Sequence, residues 1–212
     1  MKGLLLLSGG FDSVVAGFLL KDKMDLIAIH FSHQPFTDEK AEQKAAALGK
    51  MLGVEKFLIA KAGNAFSELA KNCNQKLYFV LSKRMMYRVA EQIAKKEGCD
   101  VLITGENLGQ VSSQVLDNLK NLDNAVQMQV LRPLVCYDKT EIINLARKFE
   151  TYETSCGPEV CDILGPKHPA TTSEITRIKE QEEKVNIDQL MDEIVNSITS
   201  EVEEGESDLK TC

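Results

Sequence analysis

Short, wholly apolar runs alternate with amphipathic stretches from the first residues of the chain, and that alternation leaves few ways to fold. Residues 3–7, 26–31, 54–60 and 101–104 read as buried strands, with 130–134 a fifth. Between them, residues 12–20, 38–52 and 77–96 read as helices. Ala41, Ala45, Leu48 and Leu52 fall at helical spacing in the second, and Leu81, Met85, Val89 and Ile93 form one stripe along the third. Asp138 and Glu141 form a capping-box pattern, which opens a helix ending near Phe149. Strands apolar on both faces belong to a parallel sheet covered on both sides. Right-handed crossovers then give an α/β fold built on a doubly wound parallel sheet.

Residues 151–170, with Pro158, Pro166 and Pro169, read as a long irregular loop, a kind that is often functional. Residues 171–185 and 187–198 read as two closing helices. The apolar face of the second (Ile187, Leu190, Met191, Ile194, Val195, Ile198) is expected to pack on the body, with a partner-binding or homodimer helix as the alternative. The expected organisation is a domain over 1–178, a helical extension over 179–200 and a disordered acidic tail over 201–212.

Composition narrows the function. The N-terminal apolar run, Leu4 to Leu7, is far shorter than the ~18 residues of a membrane span. No small-residue cleavage site follows it, so a cytoplasmic protein with no membrane partner is expected. Six scattered cysteines point to reduced, catalytic or metal-binding thiols rather than a secreted disulfide framework. Residues 180–212 hold eleven acidic residues against Lys184 and Lys210, a net of −9, so residues 1–179 carry +2 of the total −7. The acidity belongs to the tail; the body can take an anionic substrate, but it is not a general nucleic-acid-coating surface.

Ser8-Gly9-Gly10-Phe11-Asp12-Ser13 joins the first strand to the first helix. Two glycines let the backbone turn tightly beside a ligand, and the helix N-terminus offers free N–H groups and a positive dipole end. Ser8 and Ser13 add hydroxyl donors, as a phosphate cradle needs. Asp12 would repel phosphate unless a divalent cation bridged them, which implies Mg²⁺. The plain alternative is a glycine turn capped by Ser or Asp. The loop is not a Walker A sequence, and no G-x-G-x-x-G follows a strand.

The SGGFDS stretch resembles the pyrophosphate loop of the N-type ATP pyrophosphatases, which cleave ATP between the α- and β-phosphates and adenylate a carbonyl oxygen. Ser82-Lys83-Arg84-Met85-Met86-Tyr87-Arg88 and residues 104–114 (TGENLGQVSSQ) are similar to two blocks of the tRNA 4-thiouridine synthetase (tRNA sulfurtransferase, thiamine-biosynthesis) family. Arg132-Pro133-Leu134 and Pro166-Lys167-His168-Pro169 fit as well. The resemblance spans about residues 2–178 and implies a Rossmann-like fold of the adenine-nucleotide α-hydrolase type with C-terminal helices. It carries ATP contacts onto Leu6, Leu7, His30, Phe31, Lys83, Gly105 and Gln114, beside Ser8, Gly9, Gly10, Phe11, Asp12 and Ser13. By pattern alone, His30 reads as a satisfied strand-end residue. Lys83 and Arg84 read as a solvated face opposite the apolar stripe.

In Cys156-Gly157-Pro158-Glu159-Val160-Cys161 the family's sulfur-handling cysteine falls on Cys161, with Cys156 able to supply a second thiol. Sulfur transfer needs a thiolate that attacks a persulfide or disulfide sulfur. Structural zinc would want four ligands where only His168 is near, and an iron–sulfur cluster on Cys156 and Cys161 is a further alternative. Catalytic roles are thus expected for Cys161, Cys156 and Asp12. The family's N-terminal ferredoxin-like and RNA-binding region and the C-terminal rhodanese domain of some members have no counterpart in this sequence. An RNA partner is therefore expected to bind weakly, through a separate subunit or a face of Lys83, Arg84 and Arg88. The implied activity is ATP-dependent conversion of a tRNA uridine to 4-thiouridine, with sulfur from a donor protein or sulfide. The alternatives are a small-molecule adenylating ligase of the thiamine or amidation type and a non-catalytic adenine-nucleotide-binding protein.

Overall fold

The computed structural model describes residues 1–109, 114–156 and 163–201. These form β1 (Lys2–Leu6), α1 (Phe11–Leu20), β2 (Asp25–Ser32), α2 (Lys40–Leu52), β3 (Lys56–Lys61), α3 (Gly63–Asn72), α4 (Tyr78–Lys96), β4 (Val101–Ile103), α5 (Leu116–Asp123) and β5 (Val130–Leu131). There follow α6 (Lys139–Lys148), α7 (Tyr152–Ser155), α8 (Ile175–Glu182), α9 (Ile187–Asn196) and β6 (Thr199–Glu201). The sheet order is β5-β4-β1-β2-β3-β6. β1 to β5 are parallel, whereas β6 pairs antiparallel with β3. The chain winds outward through β2 and β3, then crosses to β4 on the other side of β1. The order therefore reverses at β1, which puts the topological switch point at the carboxyl ends of β1 and β4, the crevice position at which such sheets take ligands.

Side-chain alternation explains the apolar strands. Leu4, Leu6, Ile27, Ile29, Phe31 and Leu58 pack under α3, α4 and α9, while Leu5, Leu7, Leu26, Ala28, Phe57 and Ile59 pack under α1, α2 and α6. Both faces are covered, as a doubly wound sheet requires. The capping box is formed as expected: Glu141 N–H donates to Asp138 Oδ1 and Asp138 N–H to Glu141 Oε2, each at 2.8 Å.

Several elements differ from the sequence expectation. β3 begins at Lys56 rather than Val54, because Gly53 ends α2 at a left-handed φ of 72° and Val54 N–H still bonds Gly49 O. Thr171–Ser173 do not join the expected helix: Asn118 Nδ2 binds Thr171 O at 3.1 Å and Asn121 Nδ2 binds Ser173 O at 2.6 Å, so α8 starts at Ile175. α7 opens the stretch read as irregular loop. The expected boundary at 178/179 falls inside α8. No helix of the described residues is long and apolar enough to cross a membrane.

Candidate active site

The loop between β1 and α1 folds on its own hydrogen bonds. Ser13 Oγ donates to Gly10 O at 3.2 Å and accepts from Ser8 N–H at 3.1 Å, while Ser8 Oγ accepts from Gly10 N–H at 3.3 Å. Gly9 takes φ +88°, a conformation costly for a residue with a Cβ. Gly10 is the N-cap of α1 and no side chain of the described residues caps it, so the first turn keeps N–H groups for an anion. Asp12 lies in that first turn.

The segment after β4 comes against the same turn. A Cβ on Gly105 would lie 2.4 Å from the Asp12 carbonyl carbon and 2.5 Å from Ser13 N, so glycine is what allows the approach. The expected nucleotide contacts gather along this edge. Leu6 and Leu7 commit their side chains to opposite cores, as Phe31 does to one, and present only backbone. His30 is buried, with Nδ1 2.9 Å from Leu7 O. Its Nε2 finds no partner among the described residues, and burial holds the ring below its ordinary pKa. Gln114 Oε1 accepts from Asn107 N–H at 3.0 Å, which ties it to the segment after β4.

Lys83 is not a solvated bystander. Its ammonium lies 3.0 Å from Glu106, a buried carboxylate that also meets Arg132 Nε at 3.0 Å and the Tyr87 hydroxyl. Burial pushes the Glu106 carboxyl up, but the charges of Lys83 and Arg132 outweigh it and hold the group at about 2. Arg84 overturns the helix-face expectation. It is 1% exposed, with Nε 2.8 Å from Glu182 Oε1 and a further bond to Asn121 O. Arg88 pairs with the same carboxylate at 2.8 Å. α8 supplies the acid that pairs with both, Arg84 buried and Arg88 half-buried, so neither arginine offers a free charge to a phosphate.

Cys156 is exposed at the end of α7; Cys161 and residues 110–113 of the TGENLGQVSSQ block lie outside the described residues. Phe11 of the glycine loop stacks on Tyr152 of α7 at 5.3 Å, so the cysteine-bearing segment begins beside that loop. Cys73 and Cys99 are buried, and burial raises both thiols, Cys99 to about 11, which leaves them poor nucleophiles at neutral pH. Among the described residues no three His, Cys, Asp or Glu gather as a metal site. The sequence alone assigns no role to Glu106, Tyr87 or Arg132, although all three lie in stretches that carry the family resemblance; a lone carboxylate beside a strand end was the available signal.

Residues 1–187 match the family described as Thiamine biosynthesis protein (ThiI). A probable tRNA sulfurtransferase of Moorella thermoacetica is 38% identical over 215 residues, 98% of this chain and 55% of the relative. That of Halothermothrix orenii is 42% identical over 203 residues, 92% of this chain and 51% of the relative. The chain spans about half the length of the curated relatives it matches. A crystal structure of a 4-thiouridine synthetase–RNA complex with bound ATP matches with a TM-score of 0.89 at 35% identity, over 94% of this chain and 54% of that one. NMN synthetase from Francisella tularensis, at 15% identity and a TM-score of 0.58 over 92% of this chain and 83% of that one, shares the fold.

Proposed function

The chain belongs to the thiamine biosynthesis protein (ThiI) family, and on that premise we propose that it adenylates a uridine carbonyl oxygen of tRNA with ATP and replaces it with sulfur, giving 4-thiouridine. One observation carries the reading: the glycine loop and the cysteine segment start side by side, joined by the Phe11–Tyr152 stack. An adenylating loop and a sulfur-carrying thiol need that proximity.

ATP lies along the crevice at β1 and β4. The adenine meets backbone of Leu6, Leu7, His30 and Phe31, and the phosphates meet residues 8–13 and the uncapped turn of α1. Asp12 fits a magnesium site, since a carboxylate in that turn would otherwise repel the triphosphate. It would hold Mg²⁺ beside phosphate oxygens, the donor set this ion takes. When bound, the ion supplies charge neutralisation. Gly105 lets the two loops close on the reacting phosphate, and Gln114 and Lys83 border it. The uridine oxygen bonds the α-phosphorus and pyrophosphate departs with the electron pair. A persulfide on Cys161 then attacks the activated carbon and AMP leaves. Cys156 supplies the second thiol, closing a disulfide with Cys161 as the thiolated base is released. Arg84 and Arg88 are committed to Glu182, so tRNA recognition falls to other surfaces or to a separate RNA-binding subunit.

The test is incubation with ATP, Mg²⁺, unmodified tRNA and a persulfide donor, followed by nucleoside analysis. Formation of 4-thiouridine is expected. Cys161→Ser should keep tRNA-dependent pyrophosphate release, the mark of adenylation, and lose thiolation, because a serine hydroxyl carries no sulfane sulfur. Free sulfide could bypass the carrier, so the persulfide arm is the decisive one. Thiolation at the wild-type rate by Cys161→Ser would make the cysteine loop structural and the protein a different adenylating enzyme.

A further inference from the structure

α2 brings to the glycine loop a lysine that no motif singled out. A Cβ on Gly9 would lie 3.7 Å from Lys44 Cδ and 3.8 Å from Cγ, so the aliphatic stem of Lys44 runs against the open side of the loop. The residue is half-buried. It joins none of the ion pairs among the described residues, whereas Lys83, across the same edge, commits its charge to Glu106. The helix that carries it is held at both ends. Ser32 Oγ at the end of β2 donates to Glu42, and Leu52 packs so closely on Gly17 of α1 that a Cβ there would lie 2.5 Å from its Cδ2. Lys44 is therefore presented to the loop rather than swinging free. Its stem lies against the loop that leads into the positive end of α1, where a cation is unfavourable until an anion arrives to share it.

We propose that Lys44 binds the pyrophosphate half of ATP and stabilises it as it leaves. This rests on the adenylation reading above and deepens it. While the uridine oxygen bonds the α-phosphorus, the bond from that phosphorus to the bridging oxygen breaks, and the electron pair goes to pyrophosphate. Lys44 stays protonated and offsets the added charge; no proton changes hands. The residue reads the β- and γ-phosphates and not the nucleoside, which sets it apart from the backbone contacts at the adenine end.

Calorimetric titration of ATP, inorganic pyrophosphate and AMP in the presence of Mg²⁺, on wild type, Lys44→Met and Lys44→Arg, tests this. Lys44→Met should weaken ATP and pyrophosphate about tenfold to hundredfold, the usual loss of a charge-assisted contact, with AMP affinity and thermal midpoint unchanged. Lys44→Arg should recover most of the loss. Wild-type affinity for ATP in Lys44→Met overturns the proposal, as does equal weakening of AMP. Failure of the wild-type protein to bind ATP at all would instead strike the adenylation reading, and this proposal with it.

Discussion

Replacing Glu106 with alanine is expected to destabilise the fold by about 3–5 kcal/mol, the cost of stranding buried charge partners. The carboxylate is 6% exposed and serves Lys83, Arg132, Tyr87 and Thr104 at once, tying α4, β4 and the end of β5 together at the carboxyl edge. Glu106→Gln keeps the shape and removes the charge, so it isolates the electrostatic part. The folded carboxyl, at about 2, lies below its ordinary value of 4.5. Its stabilising contribution is thus fully present above 4.5 and is lost as the pH falls from there through 2. A depression of that size corresponds to roughly 3 kcal/mol. His33, held down to about 4 by burial and by neighbouring His30, likewise stabilises above 6.5 and loses that contribution as the pH falls through 4, in wild type and variant alike. The difference between wild type and Glu106→Gln in urea unfolding from pH 6 down to pH 3 therefore reports Glu106 alone. Parallel pH profiles would show that the network is not charge-coupled.

Gly105→Ala should damage activity far more than stability. The added methyl would meet Asp12 and Ser13 backbone at 2.4 and 2.5 Å, and backbone cannot rotate away as a side chain can. Either the glycine loop or the segment after β4 must shift. A displacement approaching an ångström in a positioning element costs on the order of a hundredfold in rate, against about 1–3 kcal/mol of stability for overpacking. Gly98→Ala is the control. Its glycine has φ +68° with nothing within 4 Å of the added carbon, so it should lose some stability and keep kcat/KM. Equal kcat/KM in the two variants would mean that the contact between Gly105 and α1 does not shape the site.

The two cases mark what the sequence could tell. Residues 8–13 are contiguous, and a strand before and a helix after give them one meaning, so the loop was legible. Gly105 belonged to a recognisable block, yet its reason, an approach to Asp12 from 93 positions away, exists only once β4 lies beside β1. The charged cluster was illegible for the same cause. Glu106 meets Lys83 from α4 and Arg132 from the end of β5, and no local pattern joins three elements. Against the Leu81–Met85 stripe alone, Arg84 falls on the outer face of α4, yet it is buried there. Its partner, Glu182, sits 98 residues downstream in a helix that covers that side. β6 is three polar residues, Thr-Ser-Glu, whose strand state is dictated by the open edge of β3 rather than by their own propensity. Lys44 looked like any lysine of an amphipathic helix until α2 was seated over Gly9.

If the carboxyl edge of β1 and β4 cleaves ATP between its α- and β-phosphates, a label on the α-phosphate must leave as AMP. Turnover of ATP labelled at the α-phosphate, with unmodified tRNA and a persulfide donor, tests it most directly, with Asp12→Ala as the paired variant. The expected result is tRNA-dependent release of labelled AMP together with pyrophosphate, abolished in Asp12→Ala while its thermal unfolding stays near that of the wild type. Release of labelled ADP with inorganic phosphate, or undiminished turnover by Asp12→Ala, would contradict it.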